Sequence, residues 1–248
     1  MREAAKLADG LTAWIRGRIE AAGGQGAVFG LSGGIDSSVV GALCARAYPQ
    51  SCLGLIMPCR SDPTDAVHAR MVADRFSIPT RTVDLSAPVD AVLAQVGEVA
   101  ADPDRVALAT ANLKPRFRMC ALYYFANALN YLVVGTGNRS ELAVGYFTKY
   151  GDGGVDLLPL ADLVKSQVRE LALHLEVPGV IIEKPPSAGL WAGQTDEREM
   201  GLTYRDLDRY LLSGEGPREV TSRIEELAGR SRHKLRLPEQ PDLSEITN

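Results

Sequence analysis

The sequence predicts an α/β fold, in which a doubly wound and mostly parallel sheet carries helices on both faces. Three observations lead to this prediction. Short apolar runs alternate with helical patterns, glycine or proline separates these units, and 248 residues suffice for one such domain. Alternating units of this length favour parallel strands joined by right-handed crossovers. We therefore expect a single domain over residues 1–248, with ligands bound beyond the carboxyl ends of the strands.

The first unit begins with a helix. Apolar side chains recur at helical spacing over residues 6–22, and a glycine-rich segment then ends the helix. Residues 27–31 form a short apolar run that is typical of a buried parallel strand. Helical spacing resumes over residues 36–48, so the sequence predicts a helix, a strand and a second helix in that order.

The same alternation continues to the middle of the chain. Residues 52–57 and 80–84 are predicted as strands, with a helix over 65–76 between them. A further helix is predicted over residues 114–129, followed by a strand over 131–135. Beyond this point glycines and prolines cluster and helical stretches lie between them, which predicts an elaborated C-terminal part of the same domain.

Composition excludes several classes of protein. Hydrophobic residues make up 46% and charged residues 23% of the chain, which excludes disorder and coiled coil. The net charge of −4 argues against a general nucleic-acid or membrane-surface binder. No apolar run is long enough for a membrane span, and the first residues lack a signal peptide's apolar core, so we expect a cytoplasmic protein. The four cysteines form no CxxC pair and are expected to be buried, reduced thiols.

The strongest local feature is the segment GLSGGIDSS at residues 30–38, between a predicted strand and a predicted helix. Its glycines let the backbone approach phosphate oxygens, and the N–H groups at the helix start favour negative charge. Asp36 would repel phosphate directly, but it is suited to hold a Mg²⁺ ion that bridges it to phosphates. The segment is neither a Walker A loop nor GxGxxG, and a simple helix cap is the alternative interpretation.

The SGGxDS string resembles the pyrophosphate loop of the N-type ATP pyrophosphatases, which adenylate a substrate. Together with motifs further along the chain, it resembles the NAD⁺ synthetase family, ammonia-dependent type, from about residue 25 to 236. The motifs that carry this resemblance lie at residues 112–119, 135–141, 145–156, 186–191, 194–197 and 233–234. The resemblance implies an adenine nucleotide α-hydrolase-like, Rossmann-like fold.

The resemblance also implies the reaction. Members of this family convert nicotinic acid adenine dinucleotide (deamido-NAD⁺) to NAD⁺, the last step of NAD⁺ biosynthesis. ATP activates the nicotinate carboxylate as an adenylate, and ammonia then displaces AMP, so no enzyme nucleophile is needed. The enzyme therefore has to position two anionic nucleotides and neutralise charge as pyrophosphate departs.

By the same resemblance, Asp36 and Glu141 would bind Mg²⁺. Lys165 is predicted at the start of a helix, where the helix dipole disfavours a cation, so a phosphate partner would explain it. The residues that the resemblance implies for ATP binding are Gly30, Leu31, Ser32, Gly33, Gly34, Ile35, Asp36, Ser37, Thr136, Lys165 and Ser187.

A second set of residues is implied for deamido-NAD⁺. An arginine can bind a phosphate through two parallel hydrogen bonds, and an aspartate suits ribose hydroxyls. Asp152, in the glycine-rich loop, is a candidate for receiving ammonium or its proton. The residues that the resemblance implies for deamido-NAD⁺ binding are Arg116, Lys149, Asp156, His233 and Lys234.

Further expectations concern mobility, nitrogen supply and assembly. Residues 150–155 and 185–194 are rich in glycine and proline and are expected to close over the substrates. Only about 25 residues precede the first strand, too few for an amidase domain, so the expected nitrogen donor is free ammonia or another chain's amidase. The resemblance implies a homodimer, with the N-terminal helix and the helix over 113–129 as candidate interface elements.

Two alternatives stay open at this stage. The first is another adenylating pyrophosphatase, which makes GMP, argininosuccinate, asparagine or a thiolated tRNA base. No suitable cysteine pair supports thiolation, and the acidic balance argues against tRNA binding. The second is a nucleotide-binding sensor without chemistry, which the presence of both proposed Mg²⁺ carboxylates disfavours.

Overall fold

The computed structural model describes residues 2–189, 191 and 193–241. Within them, four parallel strands form one sheet in the order β3-β2-β1-β4. The strands are β1 (Gly26–Gly30), β2 (Cys52–Ile56), β3 (Thr80–Thr82) and β4 (Tyr131–Val133). Ala27 of β1 lies opposite Cys52 on one side and Leu132 on the other. The prediction of a parallel α/β sheet is confirmed, although β2, β3 and β4 are shorter than the sequence indicated.

Five helices alternate with these strands. They are α1 (Arg2–Ala21), α2 (Ile35–Ala47), α3 (Pro63–Phe76), α4 (Ser86–Val96) and α5 (Pro103–Leu129). The sequence did not predict α4, and it placed the start of α5 eleven residues too late. Pro115 lies inside this 27-residue helix, whereas proline is more commonly found in the first turn of a helix. The true start is marked by Asp102, whose side chain accepts the N–H groups of Asp104 and Arg105.

The part of the chain after β4 adds short helices beside the sheet. They are α6 (Arg139–Val144), α7 (Lys165–His174), α8 (Gly179–Ile182), α9 (Asp196–Met200), α10 (Tyr204–Ser213) and α11 (Arg218–Ser231), followed by a 3₁₀ turn at Arg232–Lys234. A separate apolar cluster, which includes Met200, Leu207 and Ile224, joins several of them. This addition is the elaborated C-terminal part that the sequence predicted.

Both faces of the sheet are covered. Val28 and Phe29 are adjacent in β1 and fully buried, so they point to opposite faces. Phe29 belongs to a cluster that includes Leu43 of α2 and Val168 of α7, whereas Val28 belongs to a cluster that includes Leu122 of α5. A strand that is buried on both faces reads as a continuous apolar run, which is why the sequence pattern identified β1.

The structure bears on two expectations from composition, which concern membrane-spanning helices and the state of the cysteines. Among the residues described, no helix has the length and apolar character needed to cross a membrane. Cys44, Cys52 and Cys59 are buried free thiols, as expected. The expectation is wrong for Cys120, which is exposed on α5.

Candidate active site

A cleft of about 740 Å³ lies at the carboxyl edge of the sheet. Its walls include residues at the ends of three strands: 30–32 and 34–37 at the end of β1 and after it, 57–58 after β2 and 134–136 beyond β4. The carboxyl ends of parallel strands meet at one edge, where the loops leave a crevice between them. The cleft therefore lies beyond the carboxyl ends of the strands, where the sequence predicts that a ligand binds.

The glycine-serine loop after β1 is held by its own side chains. Ser37 Oγ donates to the carbonyl of Gly34 (2.9 Å) and accepts the N–H of Ser32 (3.2 Å). Gly33 has φ +78°, and a Cβ there would lie 2.4 Å from the carbonyl oxygen of Asp65, so only glycine fits. Gly34 caps α2 without a side-chain hydrogen bond, which leaves N–H groups at the start of α2 for an anion.

Lys165 lies between two carboxylates beside this loop. Its Nζ is 2.5 Å from Asp36 Oδ2 and 3.2 Å from Glu141 Oε1. The three side chains are only 10%, 16% and 17% exposed, respectively. They come from the first turns of α7, α2 and α6, which are far apart in the sequence. The structure thus brings together the three charged residues that were predicted for ATP and metal.

Burial and charge set the protonation of this group. Burial raises the pKa of Glu141 to about 7, and the Asp36 charge adds to this rise while Lys165 opposes it. Burial alone would lower the pKa of Lys165, but the charges of Asp36 and Glu141 outweigh it and hold that pKa above its usual value. Lys165 therefore stays protonated at neutral pH, and Glu141 titrates close to neutrality.

The two carboxylates also suit a magnesium ion. Because Asp36 and Glu141 both contact the same Lys165 nitrogen, their oxygens lie within two hydrogen-bond lengths of each other. The described residues contain no cluster of three or more His, Cys, Asp or Glu side chains that could hold a metal alone. Mg²⁺ commonly binds through one or two carboxylates together with substrate phosphates. The donor set therefore fits a metal that arrives with a nucleotide.

Two residues that position this group were not predicted from the sequence. Asn138 is fully buried, caps α6 and donates from Nδ2 to Asp36 Oδ1 (2.9 Å). Asp208 of α10 is buried and accepts the hydroxyl of Ser140 (2.6 Å) and the N–H of Ser166 (2.7 Å). The spacing of Asn138 and Glu141 is a capping box, a pattern that could have been recognised. Nothing in the sequence indicated Asp208, because it reaches α7 from a distant helix.

We expect Asp208→Asn to disturb the start of α7 and to displace Lys165. An amide has one acceptor oxygen in place of two, so at least one donor of Ser140 or Ser166 loses its partner. The free energy of unfolding should fall by about 1–3 kcal/mol, measured by chemical denaturation. Turnover should fall as well, whereas Asp206→Asn on the same helix should change neither quantity appreciably. Equal stability of the two variants would contradict the assignment of Asp208.

Two segments at the mouth of the cleft were predicted to be covers. Lys184 forms an ion pair with Asp65, and the Ser187 hydroxyl accepts the N–H of Gly189. Leu190 and Ala192, in the second predicted cover, lie outside the described residues. In the other segment, Asp152 accepts the N–H of Thr148 (2.8 Å). Asp152 is open to the cleft but is surrounded by protein atoms, and this desolvation raises its pKa.

Most residues implied by the resemblance line the cleft. These are Gly30, Leu31, Ser32, Gly34, Ile35, Asp36, Ser37, Thr136, Glu141, Asp152, Lys165, Ser187 and Lys234. Five others are not part of its wall: Gly33, Arg116, Lys149, Asp156 and His233. Gly33 packs beneath the loop against α3. The remaining four belong to the set implied for deamido-NAD⁺, so a single chain does not assemble that whole set around the cleft.

Those four residues have other partners. Asp156 accepts the Tyr123 hydroxyl (2.9 Å) and the N–H of Val133 (2.8 Å). Lys149 Nζ donates to the carbonyl of His233 (2.6 Å), which belongs to the same 3₁₀ turn as Lys234. Arg116 is exposed on α5. Their roles stay predictions.

The fold and the site together are those of an α/β enzyme. Its sheet carries, at the carboxyl edge, a loop suited to bind phosphate and a pair of acidic residues. Residues 7–238 match the family model for NAD synthase, and the chain therefore belongs to that family. It is an ATP-using ligase, which confirms the resemblance seen in the sequence.

Individual relatives agree with this membership. The chain is 50% identical to an NH(3)-dependent NAD(+) synthetase of Carboxydothermus hydrogenoformans over 94% of this chain and 96% of the relative. Its fold matches the structure of an NMN synthetase from Francisella tularensis with a TM-score of 0.91 and 36% identity, covering 96% of this chain and 98% of that one. An NH3-dependent NAD synthetase from Campylobacter jejuni gives a TM-score of 0.79 and 28% identity, with coverage of 96% and 99%.

Proposed function

We propose that this enzyme converts deamido-NAD⁺, ATP and ammonia to NAD⁺, AMP and pyrophosphate. The observation that carries the proposal is Lys165, held between Asp36 and Glu141 beside a glycine-serine loop. Such a group suits the triphosphate of a nucleotide, and the names of the relatives supply the nitrogen donor and the product. The acid, deamido-NAD⁺, is the one that the family resemblance implies. We further propose that Asp36 and Glu141 hold Mg²⁺, which neutralises phosphate charge when bound. The cytoplasmic location stays a prediction.

The chemistry follows from the poor reactivity of a carboxylate towards ammonia. An oxygen of the nicotinate carboxylate bonds to the α-phosphorus of ATP, and the bond between that phosphorus and the pyrophosphate oxygen breaks. Lys165 and the N–H groups at the start of α2 stabilise the charge that builds up on pyrophosphate. Ammonia then attacks the activated carbonyl, and AMP leaves with the former carboxylate oxygen.

We assign the handling of ammonia to Asp152. Asp152 is exposed to the cleft, but the protein atoms around it desolvate the carboxylate and raise its pKa, so it accepts a proton more readily than an aspartate in open solvent does. A carboxylate in that position attracts ammonium and takes a proton as the amide forms. Thr148, whose N–H binds Asp152, fixes the orientation of the carboxylate.

Isotope tracing tests the proposed reaction. The protein is incubated with ATP, Mg²⁺, ammonium and deamido-NAD⁺ labelled with ¹⁸O in the carboxylate. We expect NAD⁺, pyrophosphate and AMP that carries one ¹⁸O atom. Absence of label from AMP would exclude the adenylate route, and absence of both NAD⁺ and pyrophosphate would leave a nucleotide sensor as the better interpretation.

A second candidate function is synthesis of nicotinamide mononucleotide (NMN). It is favoured by the TM-score of 0.91 to an NMN synthetase, against 0.79 for an NAD synthetase. The same adenylation chemistry would amidate the acid form of the mononucleotide. Measuring kcat/KM for both acids under identical conditions separates the two functions. The proposal of NAD⁺ synthesis requires the higher value with deamido-NAD⁺.

Lys149→Ala should raise the KM for deamido-NAD⁺ with little change in kcat. Lys149 is tied to the His233 carbonyl beside Lys234, so its loss should weaken substrate binding and not the reacting centre. Steady-state kinetics at saturating ATP measure this effect. An unchanged KM would contradict the placement of Lys149 in the deamido-NAD⁺ site.

A homodimer would explain why four of the implied residues do not line the cleft of one chain. Helix α5 carries the exposed side chains of Arg116, Cys120 and Tyr124 at four-residue spacing, which places them along one side of the helix. We propose that this face contacts a second copy, which would place Arg116 near the partner's cleft. Sedimentation at micromolar concentration tests the stoichiometry, and a monomer there would remove this explanation.

A further inference from the structure

Arg118 is a cation of the cleft that has no role in the reaction steps described above. It lies on α5, and its side chain lines the cleft. Its Nε donates to the backbone carbonyl of Met57 (3.2 Å), and its Nη2 donates to the hydroxyl of Ser61 (3.3 Å). Both acceptors belong to the segment that follows β2, so the guanidinium is fixed on that side of the cleft.

Three other cations of the cleft have carboxylate partners, whereas Lys234 donates to the backbone carbonyls of Gly145 and Phe147. Arg60 pairs with Asp90, Lys184 with Asp65, and Lys165 with Asp36 and Glu141. Within the part of the chain that the structure describes, Arg118 donates only to neutral oxygens and forms no ion pair. Its third nitrogen, Nη1, has no protein acceptor among those residues. A guanidinium prefers to bind an anion through two parallel hydrogen bonds, so this geometry leaves capacity for one.

The charge of Arg118 is also poorly compensated. Burial lowers the pKa of Arg118, and the charges of Asp152 and Asp65 oppose this effect without making a contact. An arginine nevertheless stays ionised at neutral pH. A desolvated charge without a counter-ion is costly, and an anionic ligand removes part of that cost.

The positions of the other site residues indicate which phosphate of ATP Arg118 binds. The glycine-serine loop and Lys165, beside β1, are assigned to the departing pyrophosphate. Arg118 is fixed beyond β2 and lines the same cleft as Asp152, and the opposite charges of the two side chains interact. Ammonia attacks the carbonyl that is bonded to the α-phosphate, so the group that binds this phosphate has to share the cleft with Asp152, as Arg118 does.

We propose that Arg118 binds the α-phosphate of ATP and retains it as the phosphate of the adenylate and of AMP. This inference rests on the proposed function, because it assigns the α-phosphate to a defined place in the same cleft. The side chain neutralises the phosphate while an anionic carboxylate approaches it, and it stabilises AMP as the leaving group.

Equilibrium binding of AMP and of adenosine, each to the whole protein, tests the proposal without any turnover. Arg118→Gln should weaken AMP binding by about 10- to 100-fold, the range for a lost charged hydrogen bond. Adenosine has no phosphate, so its affinity should stay within about twofold of that of the unmodified protein. Arg105→Gln, an exposed arginine on the same helix, is the matched control and should bind both ligands normally.

Three outcomes would overturn the proposal. AMP binding to Arg118→Gln could be unchanged, or AMP and adenosine could weaken equally, which would indicate a purely structural role. Alternatively, deamido-NAD⁺ could lose affinity while AMP does not, and Arg118 would then hold the nicotinate carboxylate. If Arg118→Gln does not fold, Ser61→Ala serves instead. It removes the acceptor of Nη2 and should weaken AMP binding several-fold while leaving adenosine unaffected.

The failure of this proposal is distinct from the failure of the proposed function. Loss of AMP affinity in Arg118→Gln would support the phosphate site even if the unmodified protein formed no NAD⁺. Conversely, NAD⁺ formation by the unmodified protein together with normal AMP binding by Arg118→Gln would reject the phosphate site alone.

Discussion

Asp36→Asn is expected to lower kcat by on the order of 1,000-fold or more, because it removes charge from the place where pyrophosphate departs. An amide is a weaker Mg²⁺ ligand than a carboxylate, and it no longer attracts Lys165. The substitution keeps the size of the side chain, and the amide oxygen can still accept the hydrogen bond of Asn138. Turnover measured across a range of Mg²⁺ concentrations checks the prediction.

The fold should survive this change. Asparagine keeps the shape of Asp36 in the first turn of α2, and Lys165 keeps Glu141 as a carboxylate partner, so the melting temperature should fall by a few degrees at most. Asp9→Asn is a suitable control, because Asp9 forms an exposed ion pair with Arg46 far from the cleft. Near-normal turnover in Asp36→Asn would remove Asp36 from the proposed metal site.

Lys165→Met is expected to abolish turnover and to destabilise the protein. Methionine fills similar space but leaves Asp36 and Glu141 as two neighbouring carboxylates without their cation. Removing one partner of a buried ion pair costs about 3–5 kcal/mol, because the remaining charge stays uncompensated. Chemical denaturation at pH 8 measures this loss of stability. Lys6→Met, at an exposed position of α1, is the control.

The cost of Lys165→Met should depend on pH. Burial already raises the pKa of Glu141 from 4.5 to about 7, and loss of Lys165 removes the main opposing effect. The folded state then binds more protons than the unfolded chain above pH 4.5, so stability falls as pH rises through that range. We therefore expect the variant to be less destabilised at pH 5 than at pH 8. An equal loss at both values would mean that the carboxylates do not interact as described.

The elements of the sheet were predictable because their signals are local. The run at residues 27–31 is apolar throughout, since β1 is buried on both faces, and it differs from β1 in the structure by one residue at each end. Helix α5 was only half predicted, because a proline inside a helix resembles a proline at a helix start. Helix α4 begins without a side-chain cap at Leu85, so the usual N-cap residue was not there to mark its start.

In the candidate site, too, residues with a local sequence signal were predicted and residues without one were not. The glycine-serine loop was identified from the sequence because nine consecutive residues carry its chemistry. Asp208 was missed because its partners at residues 140 and 166 are joined to it only through the packing of α10 on α6 and α7. Arg118 was part of a recognised motif, but its position in the cleft depends on the carbonyl of Met57.

The sequence by itself determined the parallel α/β architecture, the anion-binding loop and the family, because alternation, glycine spacing and motif order are properties of the chain read along its length. Tertiary structure alone decided which charges meet. Lys165 contacts Asp36 across 129 positions, and the near-neutral pKa of Glu141 results from burial that no local pattern records. Distances between side chains and their desolvation are set by how helices pack, so they appear only when the chain is folded.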